Sequence, residues 1–328
     1  MPIFPLSDPD SATVIERAAA LLQRGELVAF PTETVYGLGA NALDSAAVQK
    51  IFEAKGRPSY NPLIVHVLDS EAARALTRHW PEAATRLTEA FWPGPLSLVL
   101  PKADCVPDIV TAGRDSVALR APAHPVARQL LSASGLALAA PSANRFTEVS
   151  PTTAAHVEKA LGDRIAMILD GGACDVGIES TVLDLTGEVP VLLRPGTLSQ
   201  AALETEIGPI QHAARYASEA SRPSPGMIER HYAPNAEVFL FNRNSCDGFQ
   251  TKLAGAQRPG ALIFPPCPFD FTDIISMPET AEGYARELYR ALHALDAAGC
   301  DLIFIEDVPT DIEWQGVRDR LRRSAHPA

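Results

Sequence analysis

Residues 136–144 read LALAAPSAN: five small apolar residues of strand length, a proline that ends the run, then Ser142 and Asn144 where the strand stops. Polar side chains released at the end of an apolar strand are the local signature of an open α/β sheet, in which ligand groups gather at such ends. The pattern repeats outward along the chain. LVAF at 27–30 runs into PTETVYG, and VLLR at 191–194 runs into Pro195-Gly196. Further apolar runs at 63–67, 96–100, 117–120, 166–169 and 181–185 predict strands, with amphipathic helices at 12–24, 46–54, 71–78, 82–91, 125–134 and 153–161. This alternation predicts one α/β domain over residues 7–205.

Residues 206–236 change character, losing periodicity and ending in RPSPGMIERHYAP. Arg, His and Tyr among the prolines are more than a passive spacer needs, so this linker is expected to fold back and close over a site. A second, smaller α/β pattern follows over 237–328, with strands EVFLF, ALIFP and DLIFIED and helices at 281–297 and 314–323. Four arginines, Arg318, Arg320, Arg322 and Arg323, cluster on the last helix.

Composition narrows the function classes. In 328 residues, 46% are hydrophobic and 21% charged, which suits a globular protein with a real core. No apolar run approaches the roughly 18 residues of a membrane helix, and the N-terminus carries no secretory or transit pattern, so a soluble cytoplasmic protein without membrane contact is expected. Net charge is −12 and neither half is basic, which disfavours nucleic-acid binding by bulk charge; any weak RNA contact would be local. Cys105, Cys174, Cys246, Cys267 and Cys300 are scattered singly, predicting reduced thiols rather than a disulfide frame or a zinc site.

Several familiar motifs are missing. There is no GxxxxGK[ST] loop, no HExxH and no GxSxG elbow. Gly37-Leu-Gly39-Ala-Asn-Ala42 loosely fits a dinucleotide fingerprint, but Arg57 stands where an acidic ribose ligand would be needed, so these glycines are read as turn formers. The positive features are short polar segments. Lys55-Gly56-Arg57-Pro58 sets two cations at a helix end, where the helix dipole alone would favour them. His66 lies among apolar neighbours and reads as a core histidine. Ser and Asn in PSAN, PTET, EST and RPG can simply close turns. Arg120, ending the strand SVALR, must find a partner, and a ligand carboxylate would accept its planar fork.

Taken together, PTETVYGLGANA, KGRPSYNPLIVHV, WPGPLSLVL, VALRAP, PSAN, GIESTVLDL, LLRPG and SPGMIERHYAP, in this order, resemble the threonylcarbamoyl-AMP synthase family in its long, two-domain form; DLIFIED and DRLRRSA extend the resemblance into the smaller domain. The resemblance implies a YrdC-like twisted mixed sheet with surrounding helices, plus a smaller Rossmann-like α/β domain. It implies synthesis of L-threonylcarbamoyladenylate from L-threonine, bicarbonate and ATP with release of pyrophosphate, the first step toward threonylcarbamoyladenosine in tRNA. Mg2+ would come with ATP, with no metal ligands from the protein, and the product would pass to downstream tRNA threonylcarbamoyl-transfer proteins.

Carried over residue by residue, the resemblance makes Lys55 and Arg57 catalytic, with Lys55 stabilising the transition state. Arg57, Asn61, Ser116, Ser142, Asn144, Ser150, Arg194 and Tyr232 would bind ATP. Thr34, His66, Arg120, the Ala140 backbone and Ser180 would bind threonine, Arg120 pairing its carboxylate. Two places depart from the family pattern: Ile228 and Glu229 in the linker, and DIEWQGV before the last helix. Two other readings are a carbamoyl-transfer domain of the hydrogenase-maturation type, for which no acylphosphatase-like or zinc-finger stretch is found, and an RNA-binding module. A compact positive pocket favours ATP, and a long positive stripe favours RNA.

Overall fold

The computed structural model of the chain describes residues 3–6, 11–212, 231–243, 248–267 and 269–325. The first sheet is built from β1 (Ile3–Pro5), β2 (Val28–Phe30), β3 (Gly37–Asn41), β4 (Ile64–His66), β5 (Leu96–Pro101), β6 (Ser116–Arg120), β7 (Leu138–Ala139), β8 (Met167–Asp170), β9 (Thr181–Asp184), β10 (Val191–Arg194) and β11 (Gln211–His212). Their order is β1-β8-β2-β3-β7-β4-β6-β5-β9-β10-β11. The sheet is mixed: β4 and β6 run parallel, while β3, β7 and β5 meet their neighbours β2, β4 and β6 antiparallel.

Around this sheet lie α1 (Ser11–Gln23), α2 (Ser45–Lys55), α3 (Ser70–Arg74), α4 (Glu82–Phe91), α5 (Asp108–Thr111), α6 (Pro125–Ser134), α7 (Ala154–Leu161) and α8 (Gln200–Ile207). α1 buries Ile15, Ala18, Ala19 and Leu22, the i, i+3, i+4, i+7 face that its sequence announced. α2 starts where the Asp44 carboxylate accepts from the backbone of Ala46 and Ala47, and stops at Gly56, whose φ of 62° is the left-handed cap glycine tolerates.

Gly37 and Gly39 correct the sequence reading: they lie inside strand β3 rather than in a turn. The physical reason is Phe30 on the neighbouring strand. A side chain at Gly39 would bring its Cβ within 2.8 Å of the Phe30 ring, so glycine there leaves room for the ring. The sheet also extends beyond the span 7–205, taking in β1 before it and β11 after it. Residue 205 falls inside α8, whose weakly patterned sequence hides a helix capped by Ser199.

The second sheet is wholly parallel: β12 (Glu237–Phe241), β13 (Pro259–Ile263), β14 (Asp273–Ser276) and β15 (Leu302–Glu306), in the order β12-β15-β13-β14. α9 (Phe249–Gly255), α10 (Ala281–Ala298) and α11 (Gln315–Ser324) pack around it. β14 escaped the sequence reading because it is a half-exposed edge strand of four residues. Among the described residues no helix is long and apolar enough to cross a membrane.

The two sheets are joined by close contacts. Tyr232, Val35, Val149 and Ile178 belong to the same buried apolar cluster as Tyr289, Leu288 and Trp314 of the small domain. Backbone meets backbone at Gly316, where an added Cβ would lie 2.4 Å from the Gly196 carbonyl oxygen. His156 of α7 stacks on His293 of α10, ring centroids 3.9 Å apart, and His293 Nε2 lies 3.1 Å from the Ser150 carbonyl. Arg286 Nε donates to the Asp175 carbonyl at 2.7 Å.

Gly316→Ala is expected to overpack this seam and cost about 1–3 kcal/mol, read as a lower urea midpoint at unchanged slope. A variant as stable as the native chain would show that the seam yields freely. The histidine stack sets a second expectation. Burial, then the neighbouring His293 and Lys159, push His156 from 6.5 down to about 4. Below about pH 6.5 the unfolded chain takes up a proton that the folded state refuses, so stability should fall as pH drops from 6.5 toward 4. Urea titrations at pH 7.5 and 5 should show this loss in the native chain and a smaller one in His156→Gln; identical losses would remove the histidine from the account.

Candidate active site

The end of α2 and the PSAN turn are locked together. Lys55 Nζ donates to the carbonyls of Ser142, at 2.5 Å, and Asn144, and Phe146 N–H returns a bond to the Lys55 carbonyl at 2.9 Å. Arg57 donates from Nε to the Asn61 carbonyl at 3.3 Å and from Nη2 to the Pro62 carbonyl at 2.9 Å, with its guanidinium 5.9 Å from the Phe146 ring. Lys55 and Arg57 are 3% and 8% exposed, so they are not cations resting in water at a helix end. Burial, then Arg57, lowers the Lys55 pKa well below its ordinary value, and burial brings Arg57 down to about 10.

The opposite wall carries Arg120 at the end of β6. Its Nη2 lies 2.7 Å from Glu33 Oε1, its Nη1 donates to Thr34 Oγ1 at 2.9 Å, and its Nε to the Gly94 carbonyl at 3.2 Å. The carboxylate partner that the sequence led us to seek in a ligand is thus present in the fold as Glu33. Burial pushes the Glu33 pKa up, but the charge and hydrogen bonding of Arg120 outweigh it and leave the carboxyl below its usual value. His66, buried beside this pair, is driven down to about 3 by desolvation and then by Arg120, and is a neutral imidazole at physiological pH. The Ala140 N–H donates to the Ile64 carbonyl at 3.0 Å, so a contact from that backbone must come from its carbonyl.

A third side is formed around β9 and β10. Ser180 Oγ pairs with Ser97 Oγ at 2.8 Å, while Arg194 donates from Nε to the Ser180 carbonyl at 3.1 Å and from Nη2 to Ser180 Oγ at 3.2 Å. Tyr232, in left-handed backbone at φ 60°, closes the cleft with His231, whose N–H donates to the Arg323 carbonyl at 3.2 Å. Residues 213–230, including Arg222, Ile228, Glu229 and Arg230, lie outside the described residues.

One cleft is lined by Thr34, Arg57, His66, Arg120, Ala140, Ser142, Ser180, Arg194 and Tyr232. Lys55, Asn61 and Ser150 stand one contact behind this lining through the bonds given above and through Ser150 Oγ, which donates to the lining residue Glu179 at 2.5 Å, and Asn144 stands behind Lys55. Ser116 is not brought to it; it begins β6 opposite Pro101, at the other end of the strand from Arg120. Asn61 Nδ2, Asn144 Oδ1, His66 Nδ1, His231 Nδ1 and Tyr232 OH are buried without a hydrogen-bond partner among the described residues. Each such atom is costly unless something polar meets it.

Sequence reasoning passed over Glu33, Glu179, Tyr289 and Arg320. In the sequence Arg320 is one of four arginines clustered on the last helix; its side chain is fully buried and pairs with Glu179 at 2.9 Å. The signal available was helical phase: Val317, Arg320, Leu321 and Ser324 share the buried face of α11. Electrostatically the cleft gathers Arg57, Arg120 and Arg194 against Glu179 within a chain of net −12. That is a compact positive pocket, suited to a small anionic ligand rather than to a long polyanion.

Comparison with known proteins agrees with this geometry. A family model described as telomere recombination matches residues 20–196, and one described as threonylcarbamoyl-AMP synthase, C-terminal domain, matches residues 197–326. A threonylcarbamoyl-AMP synthase of Pyrococcus abyssi is 44% identical over 95% of this chain and 94% of its own length. One of Bacillus subtilis is 43% identical over 95% and 92%. The crystal structure of P. abyssi Sua5 complexed with L-threonine matches with a TM-score of 0.92 at 42% identity, covering 99% of this chain and 98% of that one. With both domains matched in sequence and in fold, the chain belongs to the threonylcarbamoyl-AMP synthase family.

Proposed function

We propose that the cleft joins L-threonine, bicarbonate and ATP into L-threonylcarbamoyladenylate. The observation that carries this reading is one compact cavity lined by Arg57, Arg194 and Tyr232, with buried, unpartnered polar atoms on Tyr232 and, behind the lining, on Asn61 and Asn144, while Arg120, Thr34 and His66 line it too and Ser180 sits beside Arg194. One half has the cations and donors for a triphosphate, the other the short polar groups for a small zwitterion. The solved relative complexed with L-threonine supports the second assignment.

The chemistry balances without a covalent bond to the protein. The threonine amine attacks the carbon of bicarbonate, and loss of water leaves a carbamate. A carbamate oxygen then attacks the α-phosphorus in line, the α–β phosphoanhydride bond breaks, and its electron pair leaves with pyrophosphate. Catalysis is therefore positioning and charge neutralisation. Arg120, steadied by Glu33, faces the threonine carboxylate, and the neutral His66 adds no competing charge beside it. Arg57, with Lys55 behind it, offsets negative charge building on the phosphates. Lys55 is already bonded to two carbonyls, so its share in this reading includes holding the PSAN turn in place.

Among the described residues no group of three His, Cys, Asp or Glu side chains is placed to hold a metal, and Glu179 of the lining and Glu33 behind Arg120 each face an arginine. Those residues do not suit a resident cation, so magnesium belongs in this reading to the ATP that brings it. Of the linker expected over 206–236, residues 213–230 lie outside the described residues, and Tyr232 and His231 at its end line the cleft. The product, an activated adenylate, goes to tRNA-modifying transfer proteins in the cytoplasm.

Pyrophosphate release should require ATP, threonine and bicarbonate together, and should drop about 10²-fold or more in Arg57→Ala and Lys55→Ala. Untouched ATP in the native chain, with RNA retained on the protein, would turn the cleft into a binding site without this reaction. The two walls should also separate kinetically. Arg120→Met should raise the threonine KM at least tenfold and the ATP KM much less, and equal effects on both would contradict the division of the cleft.

A further inference from the structure

We infer that Arg320, on the last helix of the small domain, is a positioning residue for the nucleotide side of the cleft. The inference rests on the function proposed above and gives the small domain a part in it. The Arg320 side chain has no exposure to solvent. Its Nε donates to Glu179 Oε2 at 2.9 Å, its Nη2 to the Glu179 carbonyl at 3.1 Å and its Nη1 to the Pro195 carbonyl at 2.6 Å, and its guanidinium carbon lies 5.3 Å from the centre of the Tyr232 ring. Glu179 precedes Ser180, and Pro195 follows Arg194.

Glu179 passes the constraint on. Its Oε1 accepts from Ser150 Oγ at 2.5 Å, and its Oε2 also accepts from Tyr289 OH at 3.0 Å, a second donor from the small domain. One guanidinium therefore fixes the segments that carry Ser150, Arg194 and Tyr232, three of the residues expected to contact ATP. Only an arginine fork reaches two acceptors on one residue and a third on another from a single planar group. A buried ion pair of this kind adds little net stability, because desolvation offsets much of its attraction. Domain adhesion is also supplied elsewhere, by the Gly316 seam, the His156–His293 stack and the Arg286 bond. What Arg320 adds is the orientation of the cleft wall.

Arg286→Ala serves as the adhesion control, since it removes an interdomain bond that touches no cleft residue. ATP affinity by calorimetry with MgATP, the two KM values and the melting temperature are measured for the native chain, Arg320→Lys, Tyr289→Phe and Arg286→Ala. Arg320→Lys keeps the charge and loses the fork, and should weaken ATP binding and raise the ATP KM at least tenfold while the threonine KM moves less than threefold. Tyr289→Phe should shift ATP affinity in the same direction by about threefold, and Arg286→Ala should lower the melting temperature alone. If Arg320→Lys lowers only the melting temperature, as the control does, Arg320 is adhesive and the inference falls. Should Arg320→Lys fail to fold, an unchanged ATP affinity in Tyr289→Phe overturns it equally. A native chain that binds ATP yet releases no pyrophosphate would sink the proposed reaction while leaving the Arg320 comparison readable from affinity.

Discussion

A cation taken out of water has to be met by oxygen, and the architecture of this protein follows from meeting that requirement five times in one region. Lys55, Arg57, Arg120, Arg194 and Arg320 are each less than a tenth exposed. The partners differ in kind, and the difference has chemical consequences. Arg120 and Arg320 face the carboxylates Glu33 and Glu179, which neutralise them. Lys55 and Arg57 are bonded to backbone carbonyls, which satisfy their hydrogens without adding a counter-charge. Arg57, brought down only to about 10, therefore keeps its positive charge on the side expected to hold phosphates, while charge is balanced elsewhere.

The same requirement explains why the fold brings distant segments so close. The carbonyls that receive Lys55 belong to residues 142 and 144, nearly ninety positions along the chain. Arg57 finds its acceptors a few residues on, because Gly56 turns the chain out of α2 and the following turn presents the carbonyls of Asn61 and Pro62. Glu179 collects donors from Ser150, Tyr289 and Arg320, so one carboxylate joins three segments and two domains. Neutral groups complete the environment: burial strips protons from His66 and drives the Tyr289 hydroxyl well above its ordinary value, leaving it a donor at any physiological pH.

Much of this was legible in the chain. The alternation of apolar runs with amphipathic helices follows from periodicity, and each strand read between residues 27 and 194 falls on an observed strand. PSAN, KGRP and RPG stood out because proline and glycine mark strand and helix ends whatever lies nearby. β3 was misread for the converse reason. Two glycines look like a turn until the Phe30 ring that demands Gly39 is in view. The short or weakly patterned β1, β11, β14 and α8 carry too little period to be seen without the neighbours that pair or pack with them.

Residue order alone thus determined the α/β class, the polar segments and the family to which the chain belongs, since those depend on local pattern and on motifs in sequence order. Tertiary structure decided who pairs with whom. In DRLRRSA helical phase sets Arg320 apart from Arg322 but names no partner for it; only the fold shows Arg320 buried against Glu179 and Arg322 mostly in solvent. Nothing in SVALR says that Glu33 waits for Arg120, or that Ser116 ends up at the far end of the strand from it. Charge pairing and burial are properties of distance in space, and sequence records only distance along the chain.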